Sequence, residues 1–277
     1  MDKVLILYTY CENQKGNLCT NKSKENLLFF LNNGYINEEK YEFVININGK
    51  HTINIQKLKK YNLHFLELNG KNAFEGYQNI LNHFSKDKYN YFIFMKDKIR
   101  GPYNLDKINV NWIEYNIQTI NDINSVVISG FGSSPLGKIY KMPYIPMKFM
   151  CFNRKVLDLI IDNDLFKIHD YNPTILEEKR KNPENMLEIK LSHLVLKNNM
   201  NYISIDAKRI INLELNKIYP DFKKLQQISK QYYEYGDQYI PDRFFWSDNT
   251  MLKVFSDNIF KEKIIKEKRD SNKVKLW

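Results

Sequence analysis

The sequence predicts an α/β protein with a mainly parallel central sheet flanked by helices. Three observations carry that expectation. Short apolar runs bounded by turn residues read as buried strands. They alternate with segments whose apolar residues recur at helical spacing, which is the signature of βαβ units. Hydrophobic residues make up 43% of the 277 residues and aromatics 14%, enough for a sizeable core, and no polar tract is long enough to read as a linker.

Val4–Tyr10 (VLILYTY) reads as a buried first strand, followed by a polar loop over 11–22. Ser23 can cap a helix over 23–32, because Leu27, Leu28, Phe30 and Leu31 form an apolar stripe and Gly34 supplies a stop. Tyr41–Asn48 (YEFVININ) is a second strand closed by Asn48-Gly49, and His64–Leu68 a third, shorter one. Tyr77, Ile80, Leu81 and Phe84 share one face of a helix over 74–84, and 91–95 is a fourth strand. Beyond it the pattern predicts a helix over 112–120, a strand over 125–129 and a flexible Gly/Ser-rich loop over 130–137. An extended Tyr144-Ile145, a strand over 148–152, a helix over 154–161 and a helix from Pro183 to about Asn198 follow. A short strand over 202–205 precedes a segment that is helical after Pro220 and then aromatic (Tyr232, Tyr233, Tyr235, Tyr239, Phe244, Phe245, Trp246). Residues 261–277 form a basic tail, and 1–260 are expected to make a single domain.

The fourth strand ends abruptly in Lys96, Asp97, Lys98 and Arg100, with Gly101-Pro102 read as the turn that follows. Ligand sites in open α/β sheets lie at the carboxyl ends of strands. The segment therefore reads as a core strand delivering one acid and three cations to a site; the alternative is a surface turn with solvated charges.

The composition narrows the class. A net charge of +10 favours anionic partners, but the basic residues are scattered outside the C-terminal cluster. Cys11, Cys19 and Cys151 are odd in number and lack CxxC spacing, which argues against a disulfide framework or a zinc site and for a reducing compartment. The five histidines form no HxxxH pair, and neither a GxGxxG nor a Walker A pattern is present. The N-terminal apolar run is too short for a signal peptide, and no stretch is long enough for a transmembrane helix.

Four segments in this order carry a resemblance: Asn26-Leu27-Leu28-Phe29-Phe30-Leu31-Asn32-Asn33-Gly34, Phe43-Val44-Ile45-Asn46-Ile47-Asn48-Gly49, Asn72-Ala73-Phe74-Glu75-Gly76-Tyr77 and residues 89–103. The series resembles a family of GT-A glycosyltransferases of giant viruses and bacterial polysaccharide clusters. That family includes the rhamnan-synthesis proteins and the chlorovirus rhamnosyltransferase domain. Its pattern is NLxFFLxxG, a strand ending in NG, a G-[YFR]-D-F-G-A box and YDYFIFMNDSVRGP. The resemblance spans residues 4–260 and is strongest before residue 104.

It implies a GT-A (Rossmann-like) fold that transfers a sugar from a UDP- or GDP-sugar to a glycan or glycoprotein acceptor. By the same resemblance Tyr8, Thr9 and Tyr10 lie near the base, Asn48 ends the second strand, and Glu75 lies near the ribose or sugar. Asp97 matches the acidic position at which Mn²⁺ or Mg²⁺ bridges the diphosphate. Glu188, in Glu188-Ile189-Lys190-Leu191-Ser192, matches the E-x-x-x-S helix start and is the candidate base; its bland alternative is a solvated helix acid, and Asp170 and Asp206 are less supported. A cytoplasmic location is implied, the host's if the source is viral.

The departures from the family pattern are informative too. N-D-[SD] becomes Lys96-Asp97-Lys98, P-H-V-Q-S becomes Pro143-Tyr144-Ile145-Pro146-Met147, and the late H-P-Y-E box becomes Thr250-Met251-Leu252-Lys253. These changes predict weakened or absent metal dependence, with Lys96, Lys98 and Arg100 pairing with the donor diphosphate instead. They also leave open a catalytically degenerate protein that binds nucleotide-sugar or glycan, and, third, a basic nucleic-acid-binding protein that stacks bases on the C-terminal aromatics.

Overall fold

The computed structural model describes residues 2–12, 17–68, 73–104, 110–122, 126–130, 147–166, 183–204, 209–211 and 244–248. The chain divides into two units, Met1–Glu114 with Arg243–Trp277, and Tyr115–Asp242.

In the first unit β1 (Val4–Tyr10), β2 (Tyr41–Asn48), β3 (His64–Leu68) and β4 (Tyr91–Lys96) lie in the order β3-β2-β1-β4, all parallel. Every residue of β1 and β4 is buried, whereas β3 is half-exposed. Unbroken apolar runs in the centre and a polar edge strand are what a parallel sheet covered on both faces requires.

The side-chain period of two assigns the faces. Tyr8 stacks on Phe30 of α1 (Asn17–Asn33), ring centroids 5.1 Å apart, so Ile6, Tyr8 and Tyr10 face α1. Leu5, Leu7 and Thr9 face α3 (Ala73–His83), whose Tyr77 stacks on Phe94 of β4 at 4.6 Å. Phe30 also meets Phe43 and Trp112, at 6.1 and 6.2 Å. Full burial of each such ring stabilises the fold by roughly 1.5–3 kcal/mol.

Two expectations are corrected here. The helix begins at Asn17, not at Ser23; Ser23 is buried inside it. Its predicted stop holds: the Gly34 N–H donates to the Phe30 carbonyl (2.6 Å), and a Cβ at Gly34 would stand 2.7 Å from both Phe30 and Pro102. Gly101-Pro102 is not the turn after β4. The turn is Asp97-Lys98, and Gly101-Pro102 lies within β5 (Ile99–Asn104), which pairs antiparallel with β10 (Phe244–Asp248). The register passes from Phe245↔Tyr103 to Ser247↔Arg100, so Gly101 and Pro102 together oppose Trp246. A bulge is where a strand tolerates a residue without an N–H.

The short helix α2 (Ile55–Leu58), capped by Asn54, and a 3-10 turn at Lys86–Lys88 complete this unit with the first turn of α4 (Trp112–Asp122). The Trp112 indole N–H donates to the Gly34 carbonyl at 2.7 Å.

The second unit contains β6 (Val126–Gly130), antiparallel to β7 (Phe149–Asn153) and parallel to β8 (Asn201–Ser204), with β9 (Arg209–Ile211) antiparallel to β8. Its helices include α5 (Arg154–Asp162) and α6 (Pro183–Lys197). Neither β9 nor β10 was expected from local pattern. The stretch 131–137, Tyr144-Ile145, Asp170, Asp206, the helix after Pro220, Tyr232 to Tyr239, and the basic tail lie outside the described residues. Among the described residues no helix is long and apolar enough to cross a membrane.

Candidate active site

Parallel strands place all their carboxyl ends on one edge of the first unit: Tyr10, Asn48, Leu68 and Lys96. The expected residues Tyr8, Thr9, Tyr10, Asn48, Lys96, Asp97 and Lys98 gather at or near that edge; Glu75 stands in the first turn of α3 and Arg100 on β5. Glu188 lies on α6, in the second unit.

The sheet divides the gathered residues between its two faces. On the α3 face, Asn46, Thr9 and Lys96 form one row across β2, β1 and β4, through the register pairs Thr9↔Asn46 and Thr9↔Lys96. All three side chains are buried. The Lys96 ammonium lies 4.5 Å from the centre of the Phe74 ring of α3, a contact that offsets part of a lysine's desolvation. Asn46 lies under Gly76: a Cβ there would be 2.2 Å from Asn46 Nδ2 and 3.8 Å from Thr9 Cγ2. Asn48 follows on the same face, and Glu75 occupies a first-turn position that the helix dipole favours for an acid.

On the α1 face, Asp97 closes the turn between β4 and β5. Its N–H donates to the Thr9 carbonyl (3.0 Å), its carbonyl accepts from Asn26 Nδ2 (2.8 Å), and its Oδ2 accepts from the Cys11 N–H (3.0 Å). Burial raises its carboxyl above the ordinary range; a hydrogen bond with Ser23, the Cys11 N–H and the two flanking lysines offset that only in part. Arg100 lies over the Phe29 ring at 4.6 Å and 3.8 Å from Glu25.

A divalent cation needs several oxygen ligands. Among the described residues no three His, Cys, Asp or Glu side chains come together, and the Asp97 carboxylate is buried against α1. These residues by themselves do not compose a metal site.

Two residues that the motif reading passed over complete the edge. Glu12, just beyond β1, accepts from Tyr10 Oη (2.8 Å), the Thr52 N–H (2.8 Å) and Thr52 Oγ1 (3.1 and 3.0 Å to its two oxygens). It ties the loop leaving β1 to the loop leaving β2. Burial pushes its pKa upward, but hydrogen bonds from Thr52 and Tyr10 and the charge of Lys24 outweigh burial and hold it below the usual value. Burial first, and then Glu12, raise the Tyr10 phenol. Nothing local in the sequence marks Glu12, because its partner Thr52 is far along the chain. Asn46 is the second. An amide inside the apolar run Val44–Ile47 was visible as a polar residue where both faces of the sheet are covered.

No protein-family model and no curated protein sequence matches the chain. Solved structures show distant likenesses. One is a nucleotide-diphospho-sugar transferase, described as putative, from Desulfovibrio desulfuricans G20 (10% identity, TM-score 0.41, covering 74% of this chain and 80% of that one). Another is a glycosyltransferase involved in glycosylation of the major capsid of the virus PBCV-1 (13%, 0.34, 73% and 80%). A third is mouse xyloside xylosyltransferase 1 (11%, 0.42, 70% and 82%).

Proposed function

We propose that this protein is a glycosyltransferase of GT-A type, with residues 1–260 as its functional domain, that moves a sugar from a UDP- or GDP-sugar to a glycan acceptor. The observation that carries the reading is the buried cation Lys96 at the carboxyl end of the central parallel strands, beside Lys98. The order of the four resembling segments supports it. In this reading Thr9, Asn48 and Glu75, with Tyr10 at the end of β1, lie around the nucleoside and sugar, while Tyr8, stacked on Phe30 on the α1 face, supports β1 from behind. Lys96 and Lys98 neutralise the departing diphosphate, and Arg100 adds to the positive field from the α1 face. Glu188 takes the proton from the acceptor hydroxyl as it attacks the anomeric carbon, while the fixed cations hold the donor in line.

The engaged Asp97 carboxylate supports donor binding that relies on fixed cations rather than on manganese or magnesium. Calorimetric titration with UDP- and GDP-sugars, with and without manganese, tests this. The expected result is binding that persists without manganese and weakens about ten-fold, ~1.4 kcal/mol, in Lys96→Met. Binding that requires manganese and ignores Lys96→Met sinks the cation-based reading.

The same Asp97 geometry favours a second reading, a degenerate protein that binds the donor without transfer. Release of nucleoside diphosphate in the presence of glycan acceptors separates the two.

A further inference from the structure

The row beneath α3 has a property that diphosphate binding does not use. Thr9 is 2% exposed and Asn46 0%. Thr9 Oγ1 and both polar atoms of the Asn46 amide, Oδ1 and Nδ2, have no hydrogen-bond partner among the described residues. Each buried polar atom left in this state costs about 1–3 kcal/mol, and such groups call for a physical reason. An apolar residue of the same shape would remove the cost. The two side chains face one another across β1 and β2, under the first turn of α3, with the Lys96 ammonium one strand further on.

We propose that Asn46 and Thr9 form a hydroxyl-reading subsite for the donor, a deepening that rests on the nucleotide-sugar reading above. The chemistry selects the ligand group. A phosphate oxygen only accepts hydrogen bonds, so it would satisfy Asn46 Nδ2 and leave Oδ1 unfilled. A pair of neighbouring hydroxyls both donates and accepts, and so satisfies Oδ1, Nδ2 and Thr9 Oγ1 together. Lys96 stands two strand spacings from Asn46, roughly 10 Å. Hydroxyls at Asn46 and an anionic oxygen at Lys96 are the two ends of a ribose–phosphate or sugar–phosphate unit. In this structure Phe74 and Gly76 cover the row, so ligand entry requires the first turn of α3 to move off β1 and β2. The amide and the hydroxyl are then positioned to specify the donor, at the expense of stability in the unliganded protein.

Asn46→Leu and Thr9→Val, close in shape and apolar, test this in the full chain. Urea unfolding of either unliganded variant should show a midpoint equal to or above that of the wild type. Calorimetry should show 2′-deoxy-UDP binding about ten-fold more weakly than UDP to the wild type, or UDP-2-deoxyglucose more weakly than UDP-glucose; GDP and its derivatives replace these if guanosine is the base that binds. The first arm identifies ribose and the second the donor sugar. In the variants the discrimination should fall to within about two-fold. A lowered midpoint in both variants overturns the proposal, because it shows that the polar atoms serve the fold. Discrimination unchanged by both variants overturns it while leaving the nucleotide-sugar reading intact. Failure of the folded wild type to bind any of these nucleotides overturns both.

Discussion

Asp97 and Glu12 are buried acids just past the carboxyl ends of β4 and β1, and their environments drive them in opposite directions. Glu12 accepts enough hydrogen bonds to be held below the ordinary carboxylate range. Its charge therefore stabilises the fold above the unfolded carboxylate pKa, and that contribution is lost as the pH falls through its lower folded value. Burial dominates at Asp97, so its folded pKa lies above the unfolded one. Its charge costs stability once the pH exceeds that raised value, and the cost disappears below the unfolded pKa. Asp97→Asn keeps an oxygen for the Cys11 N–H and removes the charge. We expect its urea midpoint to match or exceed the wild type at neutral pH, with any advantage shrinking as the pH falls; a midpoint well below wild type at neutral pH contradicts this. The position of Asp97 at a strand end was legible in the sequence, because an apolar run ending in charge marks it. The face its carboxylate takes was not, since that depends on Ser23 and Cys11, both distant in the chain.

At the scale of elements, α3 is seated by a missing side chain. A Cβ at Gly76 would collide with the Asn46 amide. Gly76→Ala should therefore cost about 1–3 kcal/mol despite alanine's better helix propensity; a rise in the urea midpoint would show that α3 is not pressed onto the sheet as described. The central strands were legible because burial on both faces writes itself into the sequence as unbroken apolar runs. The start of α1 was not: residues 17–22 carry no apolar stripe, and Ser23 has the chemistry of a cap although the chain uses it inside the helix to meet Asp97. Gly101-Pro102 misled for a related reason. Its local chemistry is that of a turn, and only the pairing of β5 with β10 converts it into a bulge.

For the whole molecule, the residues proposed to bind the nucleotide-sugar belong to the first unit and Glu188 to the second. If Glu188 is the base, Glu188→Gln should lower kcat by about 10²–10⁴-fold and leave the affinity for the nucleotide-sugar nearly unchanged. A parallel loss of donor affinity would reassign it to binding. The division into units was not legible, because segments that pair across the length of the chain leave no periodic trace in it. That same pairing has a consequence for synthesis. β10 belongs to the first unit although it is encoded near the far end of the chain. A ribosome adding about 5–20 residues per second exposes β1 to β5 seconds before the strand that covers the edge of β5 exists. The first unit thus waits, unfinished and with one strand open to other chains, until residues 244–248 have left the ribosome.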